Sequence, residues 1–522
     1  MKKTCLALIF VSIIATVSFA SPARVTTVNS QTKYGTLTYI YFETASGPSS
    51  STPSTNTAFT PSGNSGSYSI APSSLAYLWS PQFGTATTIN AGNWVLGLWA
   101  ASASYVVRYV SITITNSQTS ATASTFQEKI TWNPSSYTSY EASNLGNIRF
   151  YSDSAFTTPL YAWLETCTPS LSNTATSATA WIKLTSSIPG NGGTQIIYMA
   201  FLATTTNFDG SYWGIAPSLS SPYGQYDDGA NVFNFYDNFA GTSLNSRWTL
   251  FGSTQGTVSV SNGVTLTSSS SSLSIGVFAS YTPPTTGIVT ETYFNAVTPT
   301  SGYRVFDGNS ISSSSTAEQN GYVGILQAGG TSTLRLNKMA SGIQSNLVSV
   351  TDSLTTGNSY TSSLSWQGSN LIMADSTNGH STSTTDTSYS LSTMTQVAMA
   401  LGATSGNKYD TYWFRIRQSP PSGVMPNASF GSISSPVNTI QVSIYITNLS
   451  GNIQTTVASN VQSPTIGSSI SQYVMRFSGS QVTVPQNGYI TVSLSTTQTA
   501  SYTVYWGKGQ LTNFQVPYRV LS

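Results

Sequence analysis

The feature that most constrains this chain is a period-two alternation of apolar with hydroxyl or polar residues, repeated between clusters of Gly, Ser, Asn and Pro. It is plain in Ile112-Thr113-Ile114-Thr115, Ala180-Trp181-Ile182-Lys183-Leu184 and Gln195-Ile196-Ile197-Tyr198-Met199-Ala200. It returns in Tyr412-Trp413-Phe414-Arg415-Ile416-Arg417, Gln441-Val442-Ser443-Ile444-Tyr445-Ile446 and Tyr502-Thr503-Val504-Tyr505-Trp506. Side chains on a strand alternate between faces, so this pattern, rich in aromatic and β-branched residues, predicts half-buried antiparallel strands. Helical periodicity is almost absent. The expected fold class is all-β, as multi-domain β-sandwiches, because 522 residues exceed what one core normally serves.

Charge then narrows the partners. Charged residues make up 7% of the chain, against roughly 25% in an ordinary soluble protein. The 18 Lys and Arg nearly balance 16 Asp and Glu, and Lys2 and Lys3 lie in a segment that reads as removable. Nucleic-acid binding needs a basic face to neutralise phosphates, and no such cluster exists. Residues 1–20 read as a signal peptide: a basic start, an apolar run from Cys5 to Phe19, and small residues Ser18 and Ala20 for cleavage after Ala20. No later stretch reaches the length of a membrane-spanning segment, so a secreted or cell-surface location is expected, without a transmembrane segment in the mature chain. Cys167 would then be the only mature cysteine, which leaves no partner for an intramolecular disulfide. It reads as a small, partly buried apolar residue, with intermolecular bridging as the alternative. Few carboxylates also predict tolerance of acid.

Composition marks boundaries. Gly47 to Gly66 is a Pro/Ser/Thr/Gly loop, Ser268 to Ser272 a serine tract, and Pro420-Pro421-Ser422-Gly423 through Pro436 an exit linker. Asn427-Ala428-Ser429 and Asn448-Leu449-Ser450 are glycosylation sequons, making Asn427 and Asn448 candidate acceptors. Residues about 108–210 resemble the domain of unknown function 2341, a secreted β-domain. The motifs are Asn147-Ile148-Arg149-Phe150, Pro159-Leu160-Tyr161-Ala162-Trp163-Leu164-Glu165, Ala180-Trp181-Ile182-Lys183-Leu184, Ile188-Pro189-Gly190 and Ile196-Ile197-Tyr198-Met199. The next segment of the chain is similar to a concanavalin A-like lectin/glucanase jelly roll. It opens at Tyr236-Asp237-Asn238-Phe239 with Leu244 and Trp248, carries Ser365-Trp366-Gln367-Gly368, and closes through Trp413, Arg415-Ile416-Arg417 and Met425-Pro426 with Ser429-Phe430-Gly431. The low-charge, Tyr- and Thr-rich style is also similar to secreted proteins of heat- or acid-living archaea. The expected organisation is a signal peptide (1–20), a discontinuous β-sandwich (21–107 plus 438–522), a β-domain (108–215) and the jelly roll (216–437). The two ends belong together because neither alone supplies two covered sheets.

The chemistry is argued mostly by elimination. Laminarinase-type hydrolases of this architecture carry Glu-x-Asp-x-x-Glu on one strand, and the jelly-roll segment offers only Glu291 and Glu318, far apart and without that motif. A Ser-His-Asp triad would need His380, which reads as a turn residue after Asn378-Gly379. No catalytic residue is assigned. No cofactor is expected, although Asp227, Asp228 and Asp237, with Asn231, would offer oxygens to Ca²⁺; the same Asp-Asp-Gly run equally reads as a tight turn. Trp163, Trp181, Trp248 and Trp413 read as core residues. Trp366 sits beside a polar turn, and Tyr303, Arg304, Asp307 and Tyr322 lie near loop signals. These five are the candidate glycan-binding residues, an aromatic platform with a few placed polar groups, and packing against a hairpin is the alternative for each. The reading is a non-catalytic extracellular cell-surface protein with a glycan-binding, adhesion or envelope structural role, its partners being glycans, envelope proteins or further copies of itself. A secreted glycoside hydrolase and a self-assembling surface-filament subunit are the alternatives.

Overall fold

A computed structural model describes residues 37–41, 66–70, 75–79, 83–103 and 106–517, apart from short breaks at 271–273, 300–303, 311–319, 329–332, 403–404, 437, 449, 467–469, 497–500 and 507–512. The signal-peptide segment, most of the Gly47 to Gly66 stretch, Tyr303 and Glu318 lie outside the described residues. The protein is all-β. It divides into two compact units, one formed by residues 1–105 and 436–522, the other by residues 106–435.

In the first unit, each described strand from the N-terminal segment pairs with the C-terminal segment. Leu37–Tyr41 lies against Asn513–Pro517, Gly66–Ile70 against Ser501–Trp506, Leu75–Trp79 against Tyr489–Thr496, and Thr87–Ile89 against Val482–Val484. The long strand Gly92–Ala103 takes Ser471–Gly479, Ser501–Trp506 and Asn513–Pro517. The core interleaves both segments. Trp94, Leu96 and Leu98 pack with Ile440, Val442, Ile444, Val492 and Leu494. Alternation along Gly92–Ala103 points those three residues to one side, and the apolar face they make is covered by strands made some 340 residues later.

The second unit begins with a two-sheet β-domain. One sheet has the order Trp213–Ile215, Ala162–Thr168, Ser177–Lys183, Gln127–Trp132; the other runs Asn427–Ser434, Arg108–Asn116, Gly193–Phe201, Ile148–Tyr151, Pro159–Leu160. Val110, Ile112, Ile114, Ile130, Ile148, Phe150, Ile182, Ile197 and Met199 fill the space between them. Cys167 is buried beside this core, and burial raises its thiol pKa. The strand Asn427–Ser434 corrects the sequence reading, which ended the jelly roll and placed an exit linker here. These residues cover the open edge of Arg108–Asn116. Their small side chains, Ala, Ser and Gly, hide the strand signal, and Asn427 stands exposed on it. Because Ser434 lies opposite Tyr109, the chain enters and leaves this unit at neighbouring points, as an insertion into another domain requires.

The jelly roll packs an eight-stranded antiparallel sheet on a seven-stranded one. Lys408–Gln418 and Ile288–Thr298 are central to the larger sheet, and Gln396–Leu401 and Arg304–Ser310 to the smaller. The core between them includes Val277, Phe294, Tyr322, Leu336, Leu364, Trp366, Met399, Tyr409 and Phe414. The last strand of each sheet at one end, His380–Thr385 and Ile343–Thr351, is an edge.

Candidate functional site

Of the five expected glycan-binding residues, Tyr303 lies outside the described residues, and Arg304 and Asp307 lie on the inner strand Arg304–Ser310, opposite Gln327 and Gly324. Trp366 and Tyr322 are fully buried. Their rings meet edge to face at 4.8 Å, the Trp366 indole donates to the Gly368 carbonyl at 3.0 Å, and the Tyr322 hydroxyl donates to Asp386 at 2.5 Å. A sugar cannot reach either face. The surface role read for these two residues is therefore corrected: alternation along Ser359–Gln367 points Trp366 inward, and the adjacent turn provides only the acceptor for its N–H.

The Ca²⁺ reading fails on the donors already present. Asp227 accepts from the Trp163 indole (2.7 Å), the Gly229 amide (3.0 Å), the Tyr236 hydroxyl (2.6 Å) and the Asn238 amide (2.7 Å). Asp237 accepts from Phe239 N, Trp248 Nε1 and Arg247. Asp228 accepts from Asn231. At Asp227 and Asp237 the N–H and O–H groups aimed at the carboxylates occupy the lone pairs a cation needs, which leaves Asp228 alone with an open oxygen. Among the described residues no group of three His, Cys, Asp or Glu side chains is placed to hold a metal.

Two carboxylates from different segments, Glu165 and Glu291, meet at a buried arginine. Arg415 bonds Glu165 (2.8 Å) and Glu291 (2.6 Å), Arg417 bonds Glu291 at 2.9 Å, and the Trp181 indole donates to Glu165 at 2.8 Å. The Arg415 guanidinium lies 4.2 Å from the Trp413 ring centre, 4.7 Å from those of Trp181 and Phe233, and 5.5 Å from that of Trp163. Burial alone would raise the Glu291 pKa, but Arg415 and Arg417 outweigh it and hold the carboxyl at about 2. Through Arg415, Glu165 on the β-domain strand Ala162–Thr168 is joined to Glu291 on the jelly-roll strand Ile288–Thr298. His380 starts its edge strand after a turn in which Gly379 has φ +73°, and its Nδ1 lies 3.1 Å from Asp352. Asn448 uses its side-chain oxygen to cap its own turn, accepting from Ser450 and Asn452.

A half-buried aromatic cluster lies elsewhere, on the outer face of the five-stranded sheet. Tyr109, Ser111, Thr113 and Thr115 alternate with the core residues of their strand, while Tyr198 and Ile196 do so on the neighbour. Register places Tyr198 opposite both Ser111 and Tyr151. Phe156 reaches onto this face from the loop 152–158. Its ring is 5.1 Å from Tyr109, 5.5 Å from Tyr151 and 6.1 Å from Tyr198, edge to face each time, and all four rings are half-buried. The loop is built to hold it there. Phe156 has φ +59°, a left-handed conformation that costs a bulky residue energy. Asp153 offsets that cost by accepting from Ala155 N (3.0 Å), Thr157 N (3.1 Å), Thr157 Oγ1 (2.9 Å) and Thr158 N (2.8 Å). Burial raises the Asp153 pKa, but these donors outweigh it and hold the carboxyl below its ordinary value. Arg149, two residues before Tyr151 on its strand, is buried and pairs with Asp209 at 3.0 Å. The sequence signal for this site was the alternation itself, which puts Tyr109 and Tyr198 on the face opposite the core; Phe156 carried no periodic signal.

No family model matches the chain, and for residues 108–210 the likeness to the domain of unknown function 2341 rests on the motifs alone. Over 127 residues the chain is 43% identical to uncharacterized protein 562 of Sulfolobus islandicus rod-shaped virus 1, an alignment covering 24% of this chain and 21% of that protein. The chain thus spans about a fifth of its curated relative's length. Similar solved structures include carbohydrate-binding and lectin-like domains and chains of glycosidases, among them a xylan beta-1,4-xylosidase from Bacillus halodurans (12% identity, 35% of this chain and 38% of that one, TM-score 0.28). The binding domains include the carbohydrate-binding module CBM66 from Bacillus subtilis (12% identity, 33% of this chain and 95% of that one, TM-score 0.26) and the Emp47p carbohydrate recognition domain (11%, 35% and 93%, 0.29). A protein of unknown function with a galectin-like fold from Bacillus subtilis matches at 15% identity, over 36% of this chain and 96% of that one, with TM-score 0.28.

Proposed function

We propose that this is a non-catalytic extracellular protein of a cell surface or envelope, and that it binds neutral glycans through the aromatic face formed by Tyr109, Tyr151, Phe156 and Tyr198. The observation that carries this reading is Phe156, held over the sheet in a strained conformation by four hydrogen bonds to one carboxylate. Strain maintained by a dedicated anchor is expected where a ring must be presented, since packing alone needs no such loop. The C–H faces of sugars stack on such rings, while the hydroxyls of Ser111, Thr113 and Thr115 on the same face offer hydrogen bonds to sugar hydroxyls. Single contacts of this kind are weak, so affinity would come from repeated sugars or repeated copies.

The test is a glycan array run together with a reducing-sugar release assay. Binding without sugar release, weakened tenfold or more by Phe156→Ala with the melting temperature nearly unchanged, is the expected result. Sugar release by the native chain would establish the hydrolase instead. Binding unaffected by Phe156→Ala and Tyr198→Ala would remove this face from the site. N-terminal sequencing of exported material tests the extracellular location, with Ser21 as the expected first residue.

A further inference from the structure

Where the β-domain meets the opening of the jelly roll, an amine, a carboxamide and a buried carboxyl stand together. Lys183, at the end of the strand Ser177–Lys183, places Nζ 2.8 Å from the backbone oxygen of Asn231. Asn231 lies in the short helix Gly229–Val232, and its side-chain nitrogen is 2.5 Å from Asp228 Oδ1. Asp228 is almost fully buried, and its Oδ2 has no hydrogen-bond partner. It is also rigidly placed. Gly214 packs directly on it, so that a Cβ at 214 would collide with the Asp228 Cβ. The short helix packs against the strands Ala162–Thr168 and Ser177–Lys183, and its Val232 belongs to an apolar cluster with Trp163, Trp181 and Phe233.

We propose that Lys183 and Asn231 become joined by a spontaneous isopeptide bond, with Asp228 as the proton shuttle. Asp228 takes a proton from the Lys183 ammonium, the freed amine attacks Asn231 Cγ, and a C–N bond forms. Asp228 then delivers that proton to the departing Asn231 nitrogen, which leaves as ammonia, and takes up the second proton that the attacking nitrogen sheds as it becomes an amide, so Asp228 ends protonated. One amide is exchanged for another, no oxidant or co-reactant is needed, and atoms and charge balance. The amine contacts the backbone oxygen of Asn231, and the reaction requires it to move from there to the side-chain carbonyl carbon of the same residue.

Three features fit this role. The carboxyl touches the nitrogen that must leave, which is where a general acid belongs. Burial pushes Asp228 up to about 7, with Asp209 and Asp227 adding to the rise and Lys183 and the Asn231 bond opposing it, so it can both accept and give a proton in neutral solution. Its second oxygen is left free to receive one. The bond would tie a strand of the β-domain to the first turn of the jelly roll, a covalent staple in a chain whose mature form has no cysteine pair.

Tandem mass spectrometry of the digested full-length protein tests this directly. A branched peptide linking Lys183 to Asn231, lighter by one ammonia than its two linear parts, is expected in the native protein. It should be lost in Lys183→Arg, Asn231→Ala and Asp228→Ala, and Lys183→Arg should melt at a lower temperature. Linear peptides with both side chains intact in the folded native protein would overturn the proposal. A branch lighter by one water would assign the link to Asp228 instead and overturn it as well, and an ammonia-light branch surviving in Asp228→Ala would refute the shuttle.

Discussion

At the scale of single residues, exposure decides role more than residue type does. Trp366 and Phe156 are both large rings beside turns, and the sequence around Trp366 is the more suggestive of the two. The structure reverses them, because a strand residue takes its face from alternation whereas a loop residue takes it from whatever anchors the loop. Trp366→Ala should cost about 3–5 kcal/mol of stability through the cavity it leaves, read as a lower urea midpoint, with glycan binding retained by the fraction still folded. Asp153→Ala should cost about 1 kcal/mol, because the freed amides can bond to water instead, and should weaken glycan binding along with it, since Phe156 loses its support. The core roles of Trp163, Trp181, Trp248 and Trp413 were legible in their apolar strand contexts, and all four are buried. Tyr109 and Tyr198 were legible only as strand residues. The meeting of Glu165, Glu291 and Arg415 was not legible at all, because it depends on how two separate sheets dock, and local spacing carries no information about that.

Among the elements, strand type and sheet class came directly from period two, while partner choice did not. Asn427–Ser434 shows why: a strand with few β-branched residues is specified by the open edge it covers, not by its own propensity. The joint at Arg415 makes a sharper prediction. Arg415→Ala leaves Glu165 without its cation and the buried Glu291 with Arg417 alone, and should cost about 3–5 kcal/mol, whereas Arg415→Met, which keeps the packing against the indoles, should be less damaging once Glu165 and Glu291 are also replaced by Gln. Denaturant melts of the three proteins would measure this. Edge strands carry a second prediction. Ile343–Thr351 and His380–Thr385 bear no Lys, Arg, Asp or Glu, and Ile343 is 73% exposed. Charged residues are the usual guard against edge-to-edge pairing, so light scattering should detect association that rises with concentration, and Ser345→Lys together with Thr382→Lys should lower it.

For the molecule as a whole, acid tolerance was expected from the scarcity of carboxylates, and the structure supplies a stronger reason. Burial raises Asp375 to about 6, Asp228 to about 7, Glu141 to about 8 and Glu128 to about 9. Each folded pKa lies above its unfolded value, so each group contributes stability that is fully present below about pH 4 and is lost as pH rises through these values. Glu291 and Asp386, held at about 2, act oppositely and lose their contribution only in stronger acid. The urea midpoint should therefore fall steadily from pH 4 to pH 9, and Glu128→Gln should flatten the upper part of that decline. A flat profile over this range would show that these groups are solvated. The interleaved first unit has a further consequence, for the order of events during synthesis. Leu37–Tyr41 cannot pair until Asn513–Pro517 exists, and at ribosomal rates of about 5–20 residues per second the earliest strands wait tens of seconds or longer with their hydrogen-bonding edges open. The inserted unit is finished first and the outer one closes last, so a chain truncated near residue 440 should display a completed inner unit beside a half-made sheet that recruits any strand within reach.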